Sequence, residues 1–146
     1  MNISVITPTV RSSGLDLVRK ALRNQDFKSF EWLIGSKFDP EIPEAKWIKD
    51  EFEGGYWTIN RIYNRLVKEA KGELLISWQD YTYSKYDTLG RFWFHYQEEP
   101  KSIITCIGNK YTQVLPELGA IIWKDPREKP PDHANYYQCN YIDIEY

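Results

Sequence analysis

A mostly parallel α/β sheet flanked by helices is the fold class that the sequence predicts. Short apolar, β-branched segments alternate with segments of helical apolar spacing over the first hundred residues. The length of 146 residues fits a single domain with a substantial hydrophobic core. We therefore expect one α/β domain over residues 1–146.

Three strands are expected in the first third of the chain. Residues 3–7 (ISVIT) are β-branched and stop at Pro8, as a buried strand does where it enters a loop. Residues 30–36 (FEWLIGS) form the second apolar segment, and a loop rich in proline follows it. Residues 46–52 (KWIKDEF) are a shorter candidate, followed by two glycines.

Two helices separate these segments from the next strand. Apolar residues from Leu15 to Leu22 recur at helical spacing, and Ser13 with Asp16 resembles a capping box with a shorter acid. Residues 57–70 place another apolar set on one helical face. Both segments therefore predict helices that cover the sheet.

The second half begins regularly and then changes. Residues 73–78 (ELLISW) predict a buried strand, and residues 85–96 predict a helix. Beyond residue 100, the segments 102–108 (SIITCIG), 119–124 (GAIIWK) and 141–146 (YIDIEY) look like strands. Because the last of them reaches the final residue, we expect that the chain stops before its fold is complete; the alternative is an edge strand at a natural terminus.

Composition excludes several classes of protein. A net charge of −2 and a pI near 5.7 argue against a nucleic-acid partner. No apolar run approaches the roughly 20 residues of a transmembrane helix, and the N-terminus has no secretory signal pattern, so we expect a cytoplasmic protein. Cys106 and Cys139 lack metal-ligand spacing and are interpreted as reduced thiols. Aromatic residues, 16% of the chain, suit either a core or the stacking of sugars and bases.

The segment 72–82 (GELLISWQDYT) carries the candidate site. Its apolar strand leads into Gln79, Asp80 and Tyr81. Open α/β folds bind ligands at the carboxyl ends of their strands. We therefore expect a ligand site around Asp80.

The ordered segments ISVITPT, FEWLIGS and YNRLVKEAKGELLISWQD resemble the N-terminal, nucleotide-binding half of the family 2 glycosyltransferases, which have the Rossmann-like GT-A fold. Pro8 and Thr9 stand where that family ends its first strand in Pro-Thr. Asn64 lies on the helix that runs into the Ala-x-Gly-Glu turn at 70–73. The resemblance covers roughly residues 3–90.

The resemblance implies transfer of a sugar from a nucleotide-diphosphate sugar to a glycan or other acceptor. It divides the chain into a nucleotide-sugar-binding half at 1–98 and the start of an acceptor-side half at 99–146. The residues that it implies for the donor site are Pro8, Thr9, Arg11, Asp39, Asn64, Gln79 and Asp80.

The departures from the family pattern matter for the roles of these residues. The two acids expected after the second strand are replaced by Ser36 and Lys37, so that Asp39 is the nearest acid that could contact the base. Where the family has Asp-x-Asp, this chain has Gln-Asp-Tyr. Gln79 can still hydrogen-bond a ribose. Asp80 would be the ligand of a divalent cation, Mn²⁺ or Mg²⁺, that takes its other ligands from phosphate and water.

The charge on the diphosphate leaving group needs a cation or fixed donors to stabilise it. Arg11 is a candidate for this role, and the alternative is a solvated loop arginine, which is the commoner case. No segment matches the family's general base, so the catalytic residues stay unassigned. A non-catalytic nucleotide- or sugar-binding domain with the same fold is the alternative function. An unrelated α/β nucleotide-binding module is a weaker one, because the chain has no Gly-rich phosphate loop.

Overall fold

Within the residues that the structure describes, four parallel strands form one sheet in the order β3-β2-β1-β4. The computed structural model describes residues 1–54, 59–80 and 82–105. In chain order the elements are β1 (Ile3–Pro8), α1 (Leu15–Arg23), β2 (Phe30–Ser36), β3 (Ala45–Lys49), α2 (Ile59–Glu69), β4 (Leu74–Ser77) and α3 (Thr88–Glu98). The alternation that predicted a parallel α/β sheet is confirmed.

Strand β1 is central, and its neighbours fix where a ligand can bind. It pairs with β2 from Ile3↔Phe30 onwards and with β4 from Ile3↔Leu74 onwards. The chain runs outward from β1 through β2 to β3 and then returns to the other side of β1 to form β4. This reversal makes the carboxyl ends of β1 and β4 the topological switch point of the sheet, which is where open α/β sheets place ligands.

The helices cover both faces of the sheet. One core cluster joins residues of α1 and α3 to the strands: Ile3, Val5, Leu15, Val18, Ala21, Leu22, Trp32, Ile34, Ile42, Ile76, Trp78, Leu89 and Phe92. A second, smaller cluster lies under α2: Ile6, Leu33, Ile48, Ile62 and Leu66. The apolar spacing of each helix therefore marks the face that it buries against β-branched strand residues.

Helix α2 approaches the sheet closely at the end of β2. A Cβ atom added to Gly35 would lie 2.4 Å from Ile62 Cγ1 and 3.0 Å from Leu66 Cδ1. Real Cβ atoms do not come this near to other heavy atoms, so any other residue at position 35 would push the helix away. The glycine therefore sets the distance between α2 and β2.

The structure corrects three details of the expected elements. The predicted capping box of Ser13 and Asp16 is wrong, because the N-cap residue of α1 is Gly14 and no side chain makes a capping hydrogen bond to the helix. The third strand ends at Lys49, since the chain turns where the Asp50 side chain accepts a hydrogen bond from Phe52 N.

The last helix starts later than expected. It begins at Thr88 because Gln25 holds the preceding loop. The Gln25 amide nitrogen donates to Lys85 O at 2.7 Å, and its oxygen accepts from Leu89 N at 2.9 Å.

The C-terminal expectations lie mostly outside the described residues. Residues 102–105, the start of the expected strand at 102–108, are not in a strand. The other two expected strands and both cysteines lie outside the described ranges. Within those ranges, no helix combines the length and the apolar character needed to cross a membrane.

Candidate functional site

Three polar side chains meet beyond the carboxyl ends of β1 and β4. Thr9 Oγ1 donates a hydrogen bond to Asp80 Oδ2 at 2.5 Å. The Arg11 guanidinium holds both oxygens of the same carboxylate, with Nε at 3.0 Å from Oδ2 and Nη2 at 3.3 Å from Oδ1. We call Thr9, Arg11 and Asp80 the switch-point cluster.

Backbone hydrogen bonds of the sheet place this cluster. Thr9 N donates to Gly35 O at 2.8 Å, which extends the β1–β2 ladder by one residue. Trp78 N donates to Ile6 O at 2.9 Å and extends the β1–β4 ladder in the same way. The buried Trp78 indole then donates to Thr82 O at 2.9 Å, across the turn that carries Asp80. The turn is therefore fixed at both of its ends.

The carboxylate of the cluster is buried, and the positive charge of Arg11 balances it. Asp80 is 4% exposed and Thr9 is 1% exposed. A carboxylate removed from water to this extent needs a cation and hydrogen bonds, and the forked contact with Arg11 supplies both. The Arg11 side chain remains 28% exposed at the edge of the sheet. The sequence left open whether Arg11 is a solvated loop arginine or a positive charge near the diphosphate; the structure pairs it with the buried Asp80, and its role towards a diphosphate stays a prediction.

The described residues do not by themselves form a metal centre. In residues 1–54, 59–80 and 82–105, no three His, Cys, Asp or Glu side chains come together as metal ligands would. Both oxygens of Asp80 are already held by Thr9 and Arg11. A cation ligated by Asp80 would have to share the carboxylate with these contacts.

The other predicted donor-site residues are placed in two groups. Pro8, buried at the end of β1, and Gln79, half-buried beside Asp80, lie at the same sheet edge as the cluster. Asp39 and Asn64 are exposed, and the described hydrogen bonds join neither of them to the switch-point cluster. The Asp39 carboxylate instead accepts from Glu41 N at 2.9 Å. Asp39 therefore holds the turn at Glu41, whose φ is 54°.

The end of β2 is occupied by a structural hydroxyl. Ser36 is fully buried, and its Oγ donates to Phe38 O at 2.5 Å. The same oxygen accepts from the Trp47 indole nitrogen at 3.1 Å. Ser36 is thus committed to holding the β2–β3 corner.

Sequence reasoning missed a buried acid at this edge. Asp50 follows β3 directly, is 4% exposed, and donates its backbone N–H to Ser36 O at 2.8 Å. Its Oδ1 accepts from Phe52 N at 3.2 Å, whereas no donor among the described residues bonds Oδ2. The signal in the sequence was an acid immediately after a strand, but the expected strand ran through position 50 and concealed it.

Comparison with solved structures identifies the fold. A structure of S. aureus TarS, residues 1–349, matches with a TM-score of 0.57 and 23% identity, over 68% of this chain and 33% of that chain. The fold is the GT-A glycosyltransferase fold. TarS 1–349 in complex with UDP-GlcNAc matches with a TM-score of 0.56 at 21% identity, and the complex with UDP matches with 0.53 at 22%.

This likeness covers one part of a larger molecule. The chain spans about a third of the length of TarS 1–349. No family model matches the sequence, and no curated protein matches it either. The match therefore establishes the glycosyltransferase fold, while the reaction has to be argued from the site.

Proposed function

We propose that this chain is the donor-binding part of a family 2 glycosyltransferase, which transfers a sugar from a nucleotide-diphosphate sugar to a glycan or other acceptor. The observation that carries the proposal is the switch-point cluster, which puts the partly exposed side chain of Arg11 at the carboxyl ends of β1 and β4. The TarS structures with UDP-GlcNAc and UDP support a uridine nucleotide as the first donor to test.

The chemistry of the reaction explains why such a cluster is useful. Breaking the bond between the sugar and the diphosphate builds up negative charge on the leaving oxygen. Donors that are already oriented stabilise this charge without reorganising, and that is usually a large part of catalysis. Asp80 orients the Arg11 guanidinium, and Thr9 fixes Asp80.

The remaining donor-site residues take roles that follow from their positions. Pro8 and Thr9, at the end of the central strand, form the floor beneath the nucleoside. Gln79 lies beside Asp80 and offers its amide to a ribose hydroxyl. Asp39 and Asn64 are retained from the resemblance as predicted donor contacts, to be tested by substitution.

A divalent cation, Mn²⁺ or Mg²⁺, stays a prediction from the resemblance. When bound, it would supply positive charge to the diphosphate, with Asp80 as its ligand from this chain. From this chain we assign part of the charge stabilisation to Arg11, whose guanidinium lies beside Asp80.

Calorimetric titration of the chain with UDP and GDP, with and without Mn²⁺, tests the proposal. We expect binding of at least one nucleotide, and a loss of roughly 10-fold or more in affinity in Arg11→Met because a charge-assisted hydrogen bond is removed. The matched control is Arg91→Met on α3, which removes an arginine from an exposed pair with Asp87, the residue before the helix. Absence of binding by every nucleotide in all conditions would overturn the proposal.

A non-catalytic nucleotide- or sugar-binding domain is the second candidate. The observation that favours it is that both oxygens of Asp80, the acid at the strand end, are engaged within the protein. The two functions differ in turnover. Hydrolysis of UDP-GlcNAc above background by this chain would exclude the non-catalytic function, whereas tight binding without hydrolysis would favour it.

A further inference from the structure

A buried glutamine outside the switch-point cluster connects the same two parts of the chain that the cluster connects. Gln25 follows Asn24, the C-cap residue of α1, and is 1% exposed. A side-chain amide that is buried to this extent costs free energy unless its donors and its acceptor are paired. The hydrogen bonds of Gln25 therefore show which parts of the chain this position holds together.

The Gln25 amide holds the chain just before α3. The two hydrogens of its nitrogen are shared among Lys85 O at 2.7 Å, Ala21 O at 3.0 Å and Ser84 Oγ at 3.1 Å. Its oxygen accepts from Leu89 N at 2.9 Å. Because Lys85 O can only accept and Leu89 N can only donate, the amide has a single orientation. We call these contacts the Gln25 clamp.

A buried hydroxyl and a backbone hydrogen bond strengthen the clamp. Thr88 is 2% exposed, and its Oγ1 donates to Lys85 O at 2.9 Å. Asp26 N donates to Tyr86 O at 2.8 Å. The segment 84–89 is therefore held against the end of α1 by both side-chain and backbone hydrogen bonds.

The clamp begins close to the turn that carries Asp80. Thr82 N donates to Gln79 O at 3.1 Å and closes that turn. One residue, Tyr83, separates Thr82 from Ser84, the first residue of the clamp. The side chain of Tyr83 is partly buried against the hydrophobic core. The turn therefore has little freedom to move while the clamp is closed.

Helix α1 is thus linked twice to the segment 80–89. Arg11, in the loop that leads into α1, holds Asp80 at one link, and Gln25, just after the helix, forms the other link. Two links between the same parts of a chain are coupled, because each one reduces the conformational freedom that the other has to remove. Opening the clamp should therefore loosen the contact between Arg11 and Asp80.

We propose that Gln25 is a positioning residue of the switch-point cluster: it holds the segment that follows Asp80 against α1 and so keeps the carboxylate where Arg11 contacts it. Because Gln25 is 1% exposed, it acts through Asp80 and not by contact with a ligand. The consequence for donor binding rests on the proposed function, since a guanidinium that is already held in place binds a diphosphate at a smaller entropic cost than a mobile one.

Exchange of the Arg11 Nε hydrogen with solvent, followed by nuclear magnetic resonance of the nucleotide-free chain, tests the positioning directly. This hydrogen is bonded to Asp80 Oδ2, and its signal is identified by its absence in Arg11→Met. In Gln25→Met, which keeps the length of the side chain but removes the amide, we expect exchange to be roughly 3- to 10-fold faster than in the wild type. Thr88→Val removes one hydroxyl from the clamp with little change of shape and should give a smaller increase. If Gln25→Met does not fold, Thr88→Val decides.

Ser4→Ala is the matched control. Ser4 is also fully buried and also fixes a turn, since its Oγ donates to Glu31 Oε1 at 2.6 Å and accepts from Gly72 N at 2.8 Å. It lies at the amino end of β1, away from the cluster. We expect Ser4→Ala to lower the melting temperature, as Gln25→Met does, but to leave the exchange of the Arg11 hydrogen unchanged. Exchange at the wild-type rate in both variants would show that Gln25 only stabilises the fold and would overturn the inference.

The affinity for the nucleotide that the wild type binds, UDP or GDP, separates this inference from the proposed function. We expect Gln25→Met to bind it roughly 3- to 10-fold more weakly and Ser4→Ala to bind it as the wild type does. Unchanged exchange and unchanged affinity in Gln25→Met would refute the positioning role and leave the proposed function standing. If the wild type binds no nucleotide while Gln25→Met exchanges faster, the proposed function falls and the positioning role stands.

Discussion

Replacement of Arg11 by methionine is the most direct test of the switch-point cluster. Methionine keeps an unbranched side chain of similar reach but removes the guanidinium that holds both oxygens of Asp80. Removing one partner of a buried ion pair costs about 3–5 kcal/mol, because the other charge stays buried without compensation. The 28% exposure of Arg11 and the remaining hydrogen bond from Thr9 reduce this cost. We therefore expect the free energy of unfolding to fall by about 2–3 kcal/mol.

Urea denaturation followed by circular dichroism measures this loss. With a slope of roughly 2 kcal/mol per molar urea, the midpoint should drop by about 1 M or somewhat more. In Arg11→Met combined with Asp80→Asn, the uncompensated charge is gone, so the double variant should lose about 1–2 kcal/mol less than the sum of the single losses. Arg91→Met, which breaks an exposed ion pair with Asp87, should cost no more than about 0.5 kcal/mol. An Arg11→Met loss equal to that of Arg91→Met, or strict additivity in the double variant, would refute the buried pairing.

Two further predictions concern the scaffold. Gly35→Ala should lower the free energy of unfolding by about 1–3 kcal/mol in urea denaturation, because its Cβ would lie 2.4 Å from a side-chain atom of α2. Gly90→Ala on α3, where the nearest atom would be 3.5 Å away, should be neutral or stabilising, and equal losses in the two variants would contradict the close approach. Hydrogen bonds from Arg19 and then Arg23 lower the pKa of Glu44 to about 2 from 4.5, so the stabilisation from Glu44 is complete above pH 4.5 and is lost as the pH falls towards 2. The stabilities of the wild type and Glu44→Gln should therefore differ at pH 6 and converge near pH 2; a constant difference would refute the pairing.

The strands and their common edge could be predicted because their signals are local. The segments ISVIT and FEWLIGS became β1 and β2 within one residue, since each is a short, mainly apolar run followed by a loop. The meeting of Thr9 and Asp80 also follows from the pattern, because the carboxyl ends of parallel strands share one edge. Helix starts were less predictable. Asp87, the residue before α3, makes no capping bond, and the helix start is set by Gln25, a buried residue far away in the chain.

The partners of charged side chains could not be predicted in the same way. Arg11 and Asp80 are 69 residues apart in the chain, and their pairing depends on the order of the strands. Asp50 illustrates the same limit. Its burial depends on β3 ending at Lys49 and on α2 lying against the following loop, neither of which the short segment KWIKDEF reveals.

The pairing of Arg11 with Asp80 also bears on how the proposed donor site would function with a single acid at this strand end. Two adjacent carboxylates would repel each other and require a cation between them. Here Gln79 is neutral, and one guanidinium is enough to balance Asp80. The proposed diphosphate would therefore meet a pair whose net charge is close to zero. The affinity for the diphosphate then depends on how the Arg11 guanidinium divides its hydrogen bonds between Asp80 and the phosphate oxygens. Thr9 holds Asp80 in place and so limits how far the carboxylate can move with Arg11 towards the ligand.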